Sequence, residues 1–458
     1  MPRRKREAPA RPVIELPPQA EPIRSAPVVH ASPRRRLSRA LRIFGPGVIT
    51  GAADDDPSGI ATYSQAGAQF AFGTLWTMLL TLPLMIAVQE ACTRIGAVTG
   101  KGLAAVIRDA YPRAVLIPVV FLVAAANTFN IGSDIGAMAA SAQLLLPDVP
   151  VAVLAIGFAL VVVLLEVFVS YRRYMHLLKW LAVALFAYVA TAFLVTVPWA
   201  EALQATLIPR LPLTRDSLFV IVAILGTAIS PYLFFWETSN VVEEGHSQRR
   251  AENPDGTPVF SSGYLRRLRI DTVIGMAFSS VVAWFVILVG AVVLNAGGVT
   301  TIVSAADAAK ALIPLVHTFP NAGFLAQAVF AVGVIGIGLM SVPVLAGSTS
   351  YAVAETFRWR EGLSRRFSQA RAFYAVIILG TGLGLLLNFV GLNPIYALVL
   401  TAVINGIVAV PLIFLIARVS TRRQIMGRHV GGIWSRIGLW AAFAIMGAAA
   451  IALAVSYL

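Results

Sequence analysis

Apolar positions in this chain neither alternate nor keep to one helical face; they run on for membrane-spanning lengths. About eleven such runs occur, beginning near Phe44, Leu75, Val115, Val151, Leu177, Leu218, Val273, Phe324, Phe373, Pro394 and Trp434. Each is long enough to cross a bilayer as a helix. Polar residues collect between the runs, and every second gap is basic. Arg94, Lys101, Arg108 and Arg113 follow the second span, and Arg172, Arg173 and Lys179 the fourth. Arg249, Arg250, Arg266 and Arg267 follow the sixth, Arg358, Arg360, Arg365 and Arg366 the eighth, and Arg418, Arg422, Arg423 and Arg428 the tenth. The other gaps hold little Lys or Arg beyond Arg210, Arg215 and Lys310. Basic loops stay in the cytoplasm. The pattern therefore predicts a cytoplasmic N-terminus and an extracytoplasmic C-terminus.

Composition agrees with a multi-pass cell-membrane protein. Of 458 residues, 58% are hydrophobic and 13% charged, against about 25% charged in a soluble protein. The net charge of +14 sits in loops and the N-terminal segment, so the expected partner is the lipid bilayer and not nucleic acid. One cysteine, Cys92, allows neither an internal disulfide nor a cysteine metal cluster. Residues 1–40 are rich in Pro, Arg and Ala without an apolar run. They read as a disordered basic cytoplasmic tail that holds the topology, not as a signal peptide. Residues 41–458 form the transmembrane domain. No nucleophile motif, histidine cluster or cofactor fingerprint stands out, so neither an enzyme nor a cofactor is expected, and no obligate protein partner is evident.

The stretch GAADDDPSGIATYSQAGAQF, Gly51 to Phe70, places Asp54, Asp55 and Asp56 inside the first apolar span. One aspartate at membrane depth costs about 2.5–3.5 kcal/mol on insertion scales, so function is the default explanation. Pro57 and Gly59 follow at once. Proline breaks the hydrogen-bond ladder and suits the first position of a new helix, with Asp56 as its cap. The first span thus reads as two half-helices with an unwound joint at Asp56 to Gly59. GTAISPYLFFWETSN in the sixth span has the same form. Ser230 is placed to cap a half-helix starting at Pro231, and Gly226 to loosen the chain before it. Breaks in the first and sixth spans imply two inverted five-helix repeats, 41–200 and 215–417, and an eleventh helix at 430–458. Paired interrupted helices point to a transporter's binding site. The expected fold is all-α.

At this point a family resemblance enters. GPGVITGAADDDPSG, SQAGAQF, LW and RIGAVTGK resemble the first two helices of the NRAMP divalent-metal transporters. The resemblance extends weakly from Phe44 to about Ala417. It implies the inverted-repeat fold of the amino-acid transporter LeuT, and usual members import Mn²⁺ and Fe²⁺ with protons. Two departures matter. The family's Asp-Pro-Gly-Asn reads Asp56-Pro57-Ser58-Gly59 here, and its Met-Pro-His reads Ser230-Pro231-Tyr232. A second family histidine aligns with Glu237 or Trp236. These changes resemble the NRAMP-related magnesium transporter branch. The implied metal residues are Asp56, Gly59, Thr227 through its carbonyl, and Ser230. Such an oxygen-only set suits Mg²⁺, whereas thioether sulfur favours transition metals. The alternatives are a proton-coupled Mn²⁺/Fe²⁺ transporter and a Na⁺-coupled organic-solute symporter of the same fold.

Other polar residues have two readings each. Asp54 and Asp55 draw cations inward or pair within the joint. Asp134, in NIGSDIGAM, tunes the site's field or makes a structural hydrogen bond. Tyr232 and Glu237 line the ion path or satisfy a neighbouring helix. Asn405 and Gln89 fit packing hydrogen bonds, Asn405 also as a residue of the path, and Glu166 fits a salt bridge or inner gate. His30, His176, His246, His317 and His429 fall in the tail, in loops or at span ends.

Overall fold

A computed structural model describes residues 51, 54–169, 185–247 and 262–458. The expected tail at 1–40, the start of the first span and much of the fifth lie outside the described residues. So do His30, His176, Arg172, Arg173, Lys179, Arg249 and Arg250, and the His246 side chain.

All regular structure among the described residues is helical. The helices are α1 (Pro57–Phe70), α2 (Trp76–Thr99), α3 (Leu103–Ala110), α4 (Arg113–Gln143), α5 (Val151–Phe168), α6 (Phe186–Leu194), α7 (Trp199–Leu207), α8 (Arg215–Ala228) and α9 (Pro231–Ser247). After them come α10 (Ser262–Val289), α11 (Ala322–Phe357), α12 (Arg371–Leu387), α13 (Pro394–Thr421) and α14 (Ile433–Val455). Among the described residues eight helical segments, counting α8 and α9 together, are long and apolar enough to cross a membrane, and α12 is a shorter apolar helix. Helix α10 starts well before the expected Val273. Its first turns carry Arg266, Arg267 and Arg269, so the helix continues into a segment that hydropathy assigns to a loop. The gap helices α3 and α7 also escaped the hydropathy pattern, because they are too short to span.

Local chemistry sets the helix ends. Helix α2 stops at Gly100, whose φ of 63° places it in the left-handed region that glycine adopts without steric cost. Thr214 and Ser217 form a reciprocal capping box at the start of α8. Asn393 caps α13, which opens with Pro394. The sixth span is the central one, with 89% of its most apolar window buried, against 22% for α5 and α14. The latter pair is left to face lipid.

The sixth span breaks between Ala228 and Pro231, as its proline predicts. Gly226 acts differently from expectation. It lies within α8 and does not loosen the chain. Its missing side chain lets α8 press against α13, where an added Cβ would meet the Ala402 carbonyl and the Gly406 backbone. Small residues at such crossings let membrane helices approach closely.

On the basic-loop side the Glu355 carboxylate, at the end of α11, accepts from the Ala105 amide at 3.1 Å and from Ser239 Oγ of α9 at 2.8 Å. Arg108 donates to the Glu355 carbonyl. Three helices therefore meet at one buried side chain. At the opposite end, Pro57, Ile60, Ala61, Phe330, Val334 and Leu398 help line an apolar cavity of about 10 Å³. That is about the room of a single water.

The α8–α13 crossing yields a direct test. Gly226→Ala forces a methyl into backbone that cannot rotate away, and overpacking typically costs about 1–3 kcal/mol. The variant is expected to melt several degrees lower in detergent, with Gly157→Ala, whose Cβ would enter open space, as the control. Equal melting temperatures would disprove the close crossing.

Candidate functional site

The centre of the site is the start of α1. Asp56 has extended backbone (φ −66°, ψ 172°) and lies outside the helix, while Pro57, Ser58 and Gly59 form its first turn. The joint is therefore confined to Asp55 and Asp56, and does not extend to Gly59 as expected. Proline's fixed φ suits the first helical position, so Pro57 starts the helix instead of prolonging the break. Asp56 Oδ1 accepts from the Gly59 amide at 2.8 Å and from Ser58 Oγ at 2.5 Å. Its Oδ2 accepts from Asn130 Nδ2 of α4 at 3.2 Å. The side chain is wholly buried.

The second break supplies the facing wall. A Cβ on Gly59 would lie 3.1 Å from Thr227 Oγ1 and 3.7 Å from Asp56 Oδ1. Gly59, Thr227 and Asp56 therefore meet. Ser230 follows, but its hydroxyl points back along α8, reaching the Gly226 carbonyl at 3.0 Å and the Thr227 carbonyl at 2.7 Å. The expected capping of α9 by Ser230 is corrected: the hydroxyl proton serves the last carbonyls of α8. The Thr227 carbonyl is thus engaged in this conformation, and its hydroxyl lies beside the Tyr63 side chain.

Asp134 and Tyr232 lie around this core. Asp134 stands one turn beyond Asn130 on α4, and its Oδ2 accepts from Ser341 Oγ of α11 at 2.9 Å. Tyr232 is fully buried within electrostatic reach of Asp56, Asp54 and Asp134. Its carbonyl accepts from Ser348 Oγ at 2.6 Å. Asp54 and Asp55 pair with each other through a helix outside the joint. Asp54 Oδ2 and Asp55 Oδ1 each lie 3.0 Å from Ser279 Oγ of α10. Glu237 lies toward the basic-loop end, with Oε2 3.5 Å from Thr93 Oγ1 of α2.

Two residues, Gln89 and Asn405, depart from their packing readings. Gln89 and Asn405 are buried, yet no atom of either amide has a hydrogen-bond partner among the described residues. Both Glu166 oxygens are likewise unpartnered there, and Arg172, Arg173 and Lys179, its nearest basic neighbours in sequence, lie outside the described residues. Asn405 adjoins Gly406 at the α8–α13 crossing. His317 is exposed, with Nδ1 2.7 Å from the Pro314 carbonyl. Asn130, Ser58 and Ser279 are the contacts that sequence reasoning missed. Asn130 had a readable signal, since it falls four residues before Asp134 and so on the same helix face.

The donor set is chemically uniform. One carboxylate, Asp56, takes hydrogen bonds from the Ser58 hydroxyl, the Gly59 amide and the Asn130 side-chain amide, with Thr227 Oγ1 facing Gly59, and among the described residues no thioether or imidazole is hydrogen-bonded to it. No cluster of three or more His, Cys, Asp or Glu residues able to hold a metal occurs among the described residues. Such a site offers hard oxygen donors and one full negative charge, which suits a cation that keeps part of its hydration shell.

Comparison with known proteins agrees with the geometry. The divalent metal cation transporter MntH of Acidiphilium cryptum is 28% identical over 423 residues, covering 89% of each chain. MntH of Verminephrobacter eiseniae is 26% identical over 401 residues, 86% of this chain and 85% of its own length. In structure, an Eremococcus coleocola manganese transporter superposes with a TM-score of 0.71 at 17% identity, covering 94% of this chain and 90% of its own. MhsT, solved in complex with L-phenylalanine, gives 0.58 at 14% identity over 90% of this chain and 98% of its own. These likenesses show the fold, the LeuT-like architecture with two interrupted helices. A family model described as natural resistance-associated macrophage protein-like matches residues 47–456, and the chain belongs to that Nramp family of transporters.

Proposed function

We propose that this chain carries Mg²⁺ across the cell membrane into the cytoplasm by alternating access, without obligatory proton coupling. Asp56 is the one carboxylate ligand. Gly59 leaves room, and Thr227 and Ser230 present oxygen. The observation that carries the reading is this oxygen-only set at the paired helix breaks. Mg²⁺ binds oxygen, loses water reluctantly and typically uses one or two carboxylates. Sulfur and imidazole would favour softer ions. Mn²⁺, the ion in the name of the Eremococcus transporter, is the nearest rival cargo, because oxygen sites also accept it. An organic-solute symporter fits less well. The amide at the start of α1 that would receive a substrate carboxylate is already bonded to Asp56.

Transport depends on Asp56. Asp56→Ala in proteoliposomes is expected to abolish Mg²⁺ uptake while the protein still elutes as a single folded species. Asp54→Asn and Asp55→Asn, which keep shape and remove one charge each, should reduce uptake by less. Parallel uptake of Mg²⁺, Mn²⁺ and Ca²⁺ by the unmodified chain ranks the cargo. Undiminished uptake by Asp56→Ala rejects the site, and exclusive Mn²⁺ uptake rejects the cargo.

Proton coupling needs a group that exchanges a proton near working pH. An unperturbed histidine does so near pKa 6.5, and an unperturbed tyrosine stays neutral below about 10. Tyr232 stands after the second proline, and His317 is remote from the site in a gap between spans. Asp134 and Glu237 are the residual proton carriers. The inside-negative potential alone favours entry by about 2.3 kcal/mol per charge per 100 mV. With a pH dye inside proteoliposomes, potential-driven Mg²⁺ entry is expected to leave internal pH constant. Acidification in step with Mg²⁺, lost in Asp134→Asn or Glu237→Gln, would establish coupling instead.

The proposed orientation keeps the N-terminus in the cytoplasm and the C-terminus outside, with 41–200 and 215–417 as inverted repeats. Cys92 is buried, so labelling background is low. An impermeant maleimide should label Ser456→Cys on intact cells and Arg360→Cys only after lysis. The opposite pattern would invert the topology.

A further inference from the structure

The geometry points to Asn130 as a further cargo-binding residue: its Nδ2 orients Asp56, and its Oδ1 accepts a hydrogen bond from a water molecule of the cation's hydration shell. The inference rests on the reading of Asp56 as the cargo ligand and adds to it a residue from α4, outside both broken helices.

Asn130 is fully buried, and Nδ2 lies 3.2 Å from Asp56 Oδ2. An ionised carboxylate only accepts, so the NH₂ side of the amide must face it. That orientation fixes the other half of the side chain. Oδ1 is then held in the amide plane beside Asp56, and it has no partner among the described residues. Buried amide oxygens are rarely left so. Gly59 does not supply the missing donor. It has no side chain, and a Cβ there would already press on Thr227 Oγ1 at 3.1 Å. The unpartnered Asn130 oxygen beside Asp56 therefore calls for a donor from something that enters the site.

A partly hydrated dication brings such donors. A water bound to a cation presents both hydrogens outward, and Mg²⁺ usually keeps several waters. The amide then matches two adjacent groups at once, the carboxylate through N–H and the ion's water through C=O. This is the outer-sphere role by which a polar neighbour tunes a metal ligand. A serine or threonine at position 130 would have one proton for both tasks. The rigid amide separates donor from acceptor and keeps each on its own target.

The test compares three full-length proteins by calorimetry with MgCl₂ and MnCl₂ and by uptake in proteoliposomes. Asn130→Ala is expected to weaken binding of the transported ion at least tenfold and to raise KM more than it lowers the maximal rate. Asn130→Asp removes the donor but keeps an acceptor oxygen for the ion's water. It should bind as tightly as the unmodified chain or more tightly. A purely orienting role predicts the reverse order, because a second carboxylate would repel Asp56. Tenfold weaker binding by Asn130→Asp overturns the proposal, and so does unchanged binding by Asn130→Ala. Asn130→Asp decides the matter by itself where Asn130→Ala does not fold. The two readings fail separately. Binding that persists in Asp56→Ala removes the cargo site. An intact Asp56 requirement with unchanged Asn130→Ala removes only the role of Asn130.

Discussion

The Asp56 carboxylate performs two tasks that conflict inside a bilayer. It starts a helix where the chain has been interrupted, and in the proposed function it must also remain available to a cation. Helix starts leave several amides without partners, and lipid offers them none. Asp56 Oδ1 resolves part of this by accepting from the Gly59 amide and the Ser58 hydroxyl, and Pro57 carries no amide proton to satisfy. The positive end of the α1 dipole favours the charge in return. Oδ2 is thereby left pointing away from its own helix, toward α4 and Asn130. The rest of the site is arranged around that second oxygen.

Packing delivers the opposite wall. Because α8 meets α13 backbone to backbone at Gly226 and Gly406, Thr227 comes within reach of Gly59. The same sixth span continues as α9 to Ser239, which bonds to Glu355 at the basic-loop end. A broken helix thus links the ion site to the closure at that end. Any separation of α9 from α11 there parts Ser239 from a buried carboxylate, and that carboxylate also holds the first turn of α3. The other end is tied by hydrogen bonds as well: Gln65 of α1 accepts from the Ile302 amide at 2.8 Å and donates to the Thr300 carbonyl at 3.1 Å, and Asn295 donates to the Ala68 carbonyl at 2.7 Å. Both ends therefore depend on hydrogen bonds that join separate parts of the chain.

Both helix breaks and the Asp56 cap were legible in sequence because each rests on local covalent facts: proline and a short acceptor beside it. What was not legible depended on a partner far along the chain. Gly226 looked like a loosening element until Ala402 and Gly406 were seen against it. Ser230 looked like a forward cap, yet a hydroxyl between two helix ends can serve either, and the free carbonyls of α8 took it. Ser279 carries no motif at all, and only the approach of α10 places it between Asp54 and Asp55. The shorter gap helices, and the extension of α10 past its apolar stretch, fall where hydropathy carries no signal.

Charge balance explains why a single ligating carboxylate can suffice. A dication on Asp56 alone would leave one net positive charge in the membrane interior, where unpaired charge is strongly disfavoured. Asp54, Asp55 and Asp134 stand close enough to share its field without a direct bond to it. Each is already tied to a serine on another helix, Ser279 or Ser341. Those bonds hold the neighbouring carboxyl groups back from the ion. A cation that keeps its waters gains from distributed negative potential and needs few inner-sphere ligands. One that must shed its waters would need these groups to close in, against the packing that holds them away. On the proposed reading, the restraint that holds these carboxyl groups away thus favours the hydrated ion over the dehydrated one.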